Sequence, residues 1–195
     1  MSVITAGFAM CGSFCTFSKA IPQIQGLVES GINVVPIMSE VSSSTDTRFG
    51  KAVDFVNEVE EITGKKIIKS IAQAEPIGPK KMLDILIICP CTGNTLAKLA
   101  SGIADSSVSM AAKSHLRNGR PVLIGASTND GLANAAKNIG TLLNYKNIYF
   151  IPMRQDDYVG KPTSIVADFS LTEVAMNSAL EGKQMQPVYL PALHS

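Results

Sequence analysis

Uninterrupted apolar runs alternate along this sequence with segments in which apolar residues recur every three or four positions. The run Ile85–Ile88 is the clearest of the first kind, and such a run indicates a strand buried on both faces of a parallel sheet. Runs of this kind predict strands at Val3–Phe8, Ile32–Ile37, Leu83–Cys89, Val122–Gly125 and Ile148–Ile151, and favour a short edge strand at Lys65–Lys69. We therefore expect a largely parallel sheet.

The periodic segments predict the helices that connect these strands. They lie at Phe17–Ser30, Arg48–Ile62, Thr92–Ala104, Ser106–Asn118, Leu132–Leu143 and Leu171–Glu181. Loops are predicted at the polar run Ser39–Asp46, at the Pro- and Gly-containing segment Ala74–Lys80, and at Pro152–Pro162. Strands and helices in this order predict an α/β fold, a doubly wound parallel sheet with helices on both faces. No repeat or linker interrupts the order, so we expect residues 1–195 to form a single domain.

Composition narrows the functional classes. Charged residues make up 17% of the chain, and 17 Lys and Arg balance 16 Asp and Glu to a formal net charge of +1. A nucleic-acid-binding domain normally carries a basic face, and a disordered chain has too few apolar residues to form a core, whereas 46% are apolar here. Four cysteines are few for a secreted scaffold, and no apolar run is long enough to span a membrane. We therefore expect a cytoplasmic protein.

Histidine and cysteine limit the chemistry of the chain. Histidine is the usual acid–base group near neutral pH, yet only His115 and His194 are present, and His115 on a predicted helix is more typical of a packing or surface residue. The four cysteines lie at the ends of two predicted strands: Cys11, Cys15, Cys89 and Cys91. They form either a four-thiolate metal site or a set of reduced, packed thiols. Their spacing matches zinc ribbons poorly, so we favour packed thiols and expect no metal.

Ligands of an open parallel sheet bind at the carboxyl ends of its strands. Four segments there are rich in small and polar residues: Ala9–Thr16, Met38–Thr47, Pro90–Thr95 and Ala126–Gly131. Gly12-Ser13 opens a predicted helix, where exposed N–H groups and the helix dipole suit a phosphate, and hydroxyls of the Ser42–Thr45 run could add donors. A Gly-Ser turn is often only a turn, and the glycine spacing does not match the G-x-G-x-x-G dinucleotide fingerprint. These segments indicate a ligand site without naming the ligand.

One stretch resembles a known family. Residues 89–105 read CPCTGNTLAKLASGIAD, which resembles the P-A-S-A-N-T motif and the following helix of the homo-oligomeric flavin-containing Cys decarboxylase superfamily, with Pro90, Asn94 and Thr95 at matching positions. Gly12-Ser13 is similar to that family's FMN phosphate loop, and Asn129 matches its second Asn-containing motif. The resemblance implies a Rossmann-like, flavodoxin-type fold that binds FMN. It also implies homotrimers or multiples of trimers with flavin near the subunit interfaces.

The resemblance also assigns roles to residues. We expect Asn94, Asn129 and Arg48 to act in catalysis, with Asn94 orienting the flavin ring or the substrate. The residues expected to bind the cofactor are Gly12, Ser13, Phe14, Ser39, Ser42, Ser44, Pro90, Thr92, Asn94, Thr95, Ser127, Thr128 and Asn129. The decarboxylases carry a catalytic His after the second strand and a Cys in a substrate flap, but Met38–Gly50 has no His and Pro152–Pro162 has no Cys. Oxidative thiol decarboxylation is therefore not expected here.

Five further stretches resemble one member of the family more closely: Ser44–Gly50, Ala74–Lys80, Met110–Lys113, Ser127–Asp130 and Phe150–Asp157. That resemblance implies a small dicarboxylate substrate and a partner subunit that binds NAD(P). The cations that could receive the substrate's carboxylates are Arg48, Lys113, Arg154 and Lys161. Two interpretations stay open. The chain is either a flavoprotein subunit of an oxidoreductase, or a flavin-fold binding module that completes a nicotinamide-dependent partner without catalytic flavin.

Overall fold

The computed structural model describes residues 3–192, so His194 lies outside the described residues. The first half of the chain contains β1 (Thr5–Met10), α1 (Phe17–Glu29), β2 (Asn33–Met38), α2 (Glu40–Ser44), α3 (Ala52–Thr63) and α4 (Ile71–Ala74). The second half contains β3 (Ile85–Cys91), α5 (Gly93–Ala100), α6 (Ser107–Leu116), β4 (Val122–Thr128), α7 (Ala136–Leu143), β5 (Ile148–Phe150), β6 (Met153–Arg154), β7 (Ile165–Ala167) and α8 (Thr172–Leu180). The predicted α/β fold is confirmed.

The sheet has a parallel body and a small antiparallel branch. Strands β2, β1, β3 and β4 pair in parallel in that order, and β5 pairs in parallel with the first half of β4. The second half of β4 instead pairs with β7 in antiparallel fashion, and β7 pairs with β6. The strand order reverses between β1 and β3, so the loops after these two strands diverge and leave a crevice at their carboxyl ends.

Two groups of helices pack on this sheet. Helix α1 contacts α3 and α8, and the rings of Phe17 in α1 and Phe55 in α3 pack nearly perpendicular to each other with their centroids 5.0 Å apart. On the other side, α6 packs against α4 and α5, and α5 packs against α7. Strand β3 between the two groups is buried at every position, which explains its uninterrupted apolar sequence. The core therefore lies on both faces of the sheet.

Several sequence-based boundaries need correction. The polar run predicted as a loop contains α2, because the hydroxyl of Ser39 accepts a hydrogen bond from the amide of Ser42 and caps a short helix. The segment Ala74–Lys80 begins with the end of α4 and a 3₁₀ turn at Glu75–Ile77. The expected edge strand at Lys65–Lys69 makes one bridge, between Ile37 and Ile68. The predicted loop after β5 begins with β6, and β7 was not predicted.

None of the helices within residues 3–192 combines the length and the apolar character that crossing a membrane requires.

Candidate functional site

A cleft of about 640 Å³ opens at the carboxyl ends of the central strands. We call it the larger cleft, and its size is within the range that small-molecule and cofactor sites occupy. Its wall is formed by the loop after β1, the start of the loop after β3, the end of β4 and the chain around β7. The lining residues are Gly12, Ser13, Phe14, Cys15, Thr16, Lys19, Arg48, Phe49, Thr92, Ser127, Thr128, Asn129, Asp156, Lys161, Ser164, Ile165 and Val166.

The loop after β1 offers unused donors to this cleft. The amide of Ser13 donates to the carbonyl of Cys11 at 2.8 Å, and the amide of Thr16 donates to the carbonyl of Ser13 at 3.0 Å. Within residues 3–192, the backbone N–H groups of Gly12, Phe14 and Cys15 have no hydrogen-bond acceptor. A 3₁₀ turn at Phe14–Thr16 leads directly into α1, so these donors stand at the positive end of a long helix. The loop can therefore hold an anion such as a phosphate.

Hydrogen bonds tie this loop to the end of β4. The hydroxyls of Ser13 and Ser127 lie 2.9 Å apart, and Ser127 is nearly buried. Farther along the chain, the hydroxyl of Thr163 donates to the carbonyl of Asn129 at 2.7 Å. The amide of Leu132 donates to the carbonyl of Thr163 at 2.9 Å. Three chain segments that are far apart in sequence therefore meet around the larger cleft.

The larger cleft carries more positive than negative side chains. Arg48 lies over the ring of Phe49, with its guanidinium carbon 4.9 Å from the ring centroid. Lys161 makes a long ion pair with Asp156 at 3.9 Å, and Lys19 is the third cation of the lining. Asp156 is the sole carboxylate of the lining, and its Oδ1 is buried without a hydrogen-bond donor among the described residues. The cleft suits an anionic ligand that also brings a hydrogen-bond donor to Asp156.

Three of the four cysteines are buried: Cys11, Cys89 and Cys91. The Cys91 thiol and the Thr95 hydroxyl, the latter at 3.3 Å, both hydrogen-bond to Sγ of Cys11 and lower the pKa of that thiol. Burial raises the pKa of Cys89 and of Cys91 above the usual range. Cys15 is exposed and lines the cleft. The buried thiols pack as small apolar groups, and Cys15 is the one thiol that a ligand in the cleft could reach.

The structure brings eight of the predicted site residues to the larger cleft: Gly12, Ser13, Phe14, Arg48, Thr92, Ser127, Thr128 and Asn129. The other six do not line it: Ser39, Ser42, Ser44, Pro90, Asn94 and Thr95. Arg154, expected to receive a carboxylate, pairs with Asp168, and Lys113 is exposed on α6 away from the cleft.

The positions and hydrogen bonds of these side chains explain why they do not line the larger cleft. The hydroxyl of Ser42 is buried and donates to the carbonyl of Met10 at 3.0 Å, so it holds the fold together instead of facing a ligand. The hydroxyl of Ser44 donates to the carbonyl of Glu40 within α2. Pro90 is a buried strand residue, and Asn94 is an exposed residue in the first turn of α5.

Sequence reasoning did not assign to the site several residues that line the cleft, above all Lys19 and Asp156. Lys19 lies in the first turn of α1, so its position near a phosphate-type loop was a usable signal. Asp156 reaches the cleft only because the chain from 156 to 166 folds back along β4, which no local pattern shows.

Comparisons with known proteins agree with this fold. The flavoprotein family's sequence profile matches residues 2–170, and the chain therefore belongs to the flavoprotein family. It is similar to the B subunit of dipicolinate synthase from Bacillus subtilis, with 46% identity over 182 residues, 93% of this chain and 91% of that protein. It is also similar to the crystal structure of the B subunit of dipicolinate synthase from Bacillus halodurans. The TM-score is 0.90 and the identity 42%, over 99% of this chain and 100% of that chain.

A more distant structure shares the fold. DmrB of Burkholderia xenovorans, solved in complex with FMN and described as a cubic protein cage for redox transfer, superposes with a TM-score of 0.68. Its identity is 16%, over 91% of this chain and 96% of that chain, so this likeness concerns the fold alone.

Proposed function

We propose that this chain is the flavin-fold B subunit of a dipicolinate synthase. Together with an A subunit that binds NAD(P), it contributes to the oxidation of dihydrodipicolinate to pyridine-2,6-dicarboxylate in the mother-cell cytoplasm of a sporulating bacterium. Similarity to the B subunits of two dipicolinate synthases over nearly the whole chain supports this proposal. The observation that carries the chemistry is the larger cleft, where unused amide donors meet three cations at the reversal of strand order.

The residues of the larger cleft fit FMN. Its phosphate would bind the free amides of Gly12, Phe14 and Cys15, beside the hydroxyl of Ser13. Ser127, Thr128 and Asn129 would contact the remainder of the cofactor from the end of β4, where the Asn129 side chain is exposed and has no hydrogen-bond partner among residues 3–192. We further propose that the protein assembles as trimers or multiples of trimers.

Formation of the aromatic ring removes a hydride and a proton from the dihydropyridine. Bound FMN, or NAD(P)+ on the A subunit, would supply the hydride acceptor. The proton needs a base, and Asp156 is the sole carboxylate lining the larger cleft. Its Oδ1 has no hydrogen-bond donor among the described residues, so this carboxylate is the candidate base. Lys19, which also lines the larger cleft, would hold one of the substrate's carboxylates.

Flavin binding is tested by the visible spectrum of the purified protein and by titration of the apoprotein with FMN. We expect saturable quenching of FMN fluorescence, and a loss of binding in Ser13→Asp. A new carboxylate about 4 Å from the phosphate repels it by roughly 4 kcal/mol at an effective dielectric constant of about 20, so the affinity should fall at least about 100-fold.

Ser18→Asp is the matched control, because it adds the same charge five residues away, at an exposed position in the first turn of α1 that does not line the larger cleft. It should bind FMN as the unmodified chain does. Absence of saturable FMN binding to the unmodified chain, or equal binding by Ser13→Asp, would contradict the proposed cofactor site.

A second function is favoured by one observation. Among the residues lining the larger cleft there is no histidine, so a cleft without a strong acid–base group could belong to a non-catalytic module that completes the A subunit. Reconstitution of the A subunit with FMN-free Ser13→Asp chain separates the two functions. If this mixture forms pyridine-2,6-dicarboxylate at the full rate, the chain is a non-catalytic module. If activity is lost when FMN binding is lost, the chain is a flavoprotein subunit.

A further inference from the structure

A second cleft of about 360 Å³ adjoins the larger one. We call it the smaller cleft. It lies between α1 on one side and β6, β7 and the residues after β7 on the other, and its polar lining consists of Lys19, Gln23, Arg154, Asp168 and Ser170. Lys19 and Val166 line both clefts, so the two spaces meet at these residues. A molecule in the smaller cleft would lie beside whatever occupies the larger one.

Arg154 in the smaller cleft is held in a fixed orientation. Its Nη2 donates to Oδ2 of Asp168 at 2.5 Å, and the hydroxyl of Ser170 donates to Oδ1 of the same carboxylate at 2.6 Å. The antiparallel pairing of β6 with β7 aligns Arg154 with Val166, which fixes the backbone on both sides of the ion pair. A guanidinium has five N–H donors in a rigid fork, and Asp168 uses one of them. Donors remain for a second carboxylate.

Lys19 supplies a cation that the protein does not neutralise. Within residues 3–192, no carboxylate lies within ion-pair distance of its ammonium group. Together the two clefts contain four cations and two carboxylates, a net charge of +2 against +1 for the whole chain. Positive charge is therefore concentrated where the clefts meet, which favours a ligand with more than one negative charge.

The rest of the smaller cleft is apolar and suits a flat ring. Phe169 and Pro22 line it together with Val166 and Ala167, and Phe169 is 4% exposed and packed in the core. Apolar walls with a few fixed polar groups are typical of small-molecule sites, in which the polar groups set orientation. The smaller cleft thus combines a ring-sized apolar wall with two cations.

We infer that the smaller cleft binds a planar six-membered-ring dicarboxylate, with Arg154 and Lys19 receiving its two carboxylates. Lys19 determines the specificity for a second carboxylate, because it stands at the junction with the larger cleft and has no competing carboxylate. This inference rests on the proposed function and names the residues that hold its substrate. It places the ring beside the cofactor site, next to the amides of the loop after β1.

The test is isothermal titration calorimetry of the full chain with pyridine-2,6-dicarboxylate as the probe. It is carried out in chelator-treated buffer, with and without FMN. We expect saturable binding that weakens at least about tenfold in Lys19→Gln, because one charge-assisted contact is lost. Lys137→Gln, which removes an exposed cation of α7, is the matched control and should bind as the unmodified chain does. Pyridine-2-carboxylate should bind more weakly than the dicarboxylate and lose little affinity in Lys19→Gln.

Three outcomes would overturn the inference. They are no saturable binding of the dicarboxylate with or without FMN, equal binding by Lys19→Gln, and loss of binding in Arg48→Gln while Lys19→Gln binds normally. FMN affinity is measured for each variant in parallel. A chain that binds the dicarboxylate in the expected way but never binds FMN contradicts the proposed cofactor site alone. A chain that binds FMN but not the dicarboxylate contradicts this inference alone.

Discussion

Acid should destabilise this protein through His115. The ring is fully buried, its Nε2 lies 3.0 Å from the carbonyl oxygen of Pro121, and its Nδ1 has no hydrogen-bond partner within residues 3–192. Protonation would place a second N–H, and a positive charge, at a buried position with no acceptor. Burial therefore lowers the pKa of His115 from 6.5 to about 4, and nearby Arg120 adds to this effect while Asp84 opposes it.

The size of the effect follows from this pKa difference. Because the unfolded chain takes up a proton near pH 6.5 and the folded chain only near pH 4, stability is lost as the pH falls between these values. The difference corresponds to about 3 kcal/mol in total, of which about 2 kcal/mol is lost between pH 7 and pH 5. For a domain of this length, about 2 kcal/mol lowers the melting temperature by about 4–8 °C.

The assay compares thermal unfolding of the unmodified chain and of His115→Gln at pH 7 and at pH 5. The glutamine amide can still donate to Pro121 but does not titrate, so the variant should lose about 2 kcal/mol less over this range. His194→Gln shows how much of the pH dependence comes from the other histidine. An equal pH dependence in the chain and in His115→Gln, or an imidazole pKa above 6 for His115 by NMR, would refute the reasoning.

Other substitutions test the packing around the clefts. In Gly131→Ala the new Cβ would lie 2.5 Å from Cβ of Ile165, so we expect a loss of about 1–3 kcal/mol in urea unfolding. Gly140→Ala in α7 meets no atom within 4 Å and should instead be neutral or stabilising by about 0.5–1 kcal/mol. Ser42→Ala removes the buried bond to Met10 and should cost about 1 kcal/mol. A Gly131→Ala chain as stable as Gly140→Ala, or an unaltered Ser42→Ala chain, would contradict these contacts.

The parallel body of the fold could be predicted because its signal is local. Strand β3 is buried at all positions, so its sequence has to be apolar throughout, and the run Ile85–Ile88 reports this directly. Strand β7 could not be predicted in this way. It is three residues long and exists only because the second half of β4 turns from β5 to an antiparallel partner. No periodicity in Ile165–Ala167 carries that information.

The candidate site also contains residues that a local sequence signal predicts and residues that depend on long-range contacts. Gly12 and Ser13 follow β1 immediately, and the topology of a doubly wound sheet brings such residues to a ligand crevice. For serine and threonine, the position in the sequence does not by itself predict a ligand contact, because the hydroxyl can form a hydrogen bond within the chain instead. The hydroxyl of Ser42 bonds to Met10, whereas Ser127, equally polar and almost as buried, lies in the cleft wall beside Ser13. Only the three-dimensional path of the chain distinguishes these serines.

The scarcity of acid–base groups and the excess of cations indicate that the clefts are suited to binding anions and poorly suited to proton transfer. A cleft lined by one carboxylate and no histidine among its residues has little capacity to move protons, but its amides and cations can orient anions strongly. This combination would suit the proposed removal of a hydride from a dicarboxylate. In that proposal the hydride acceptor would come from a cofactor, Asp156 would take the proton, and the remaining task would be to hold two negative charges in place. Lys19 stands where that task is required, at the junction of the two clefts.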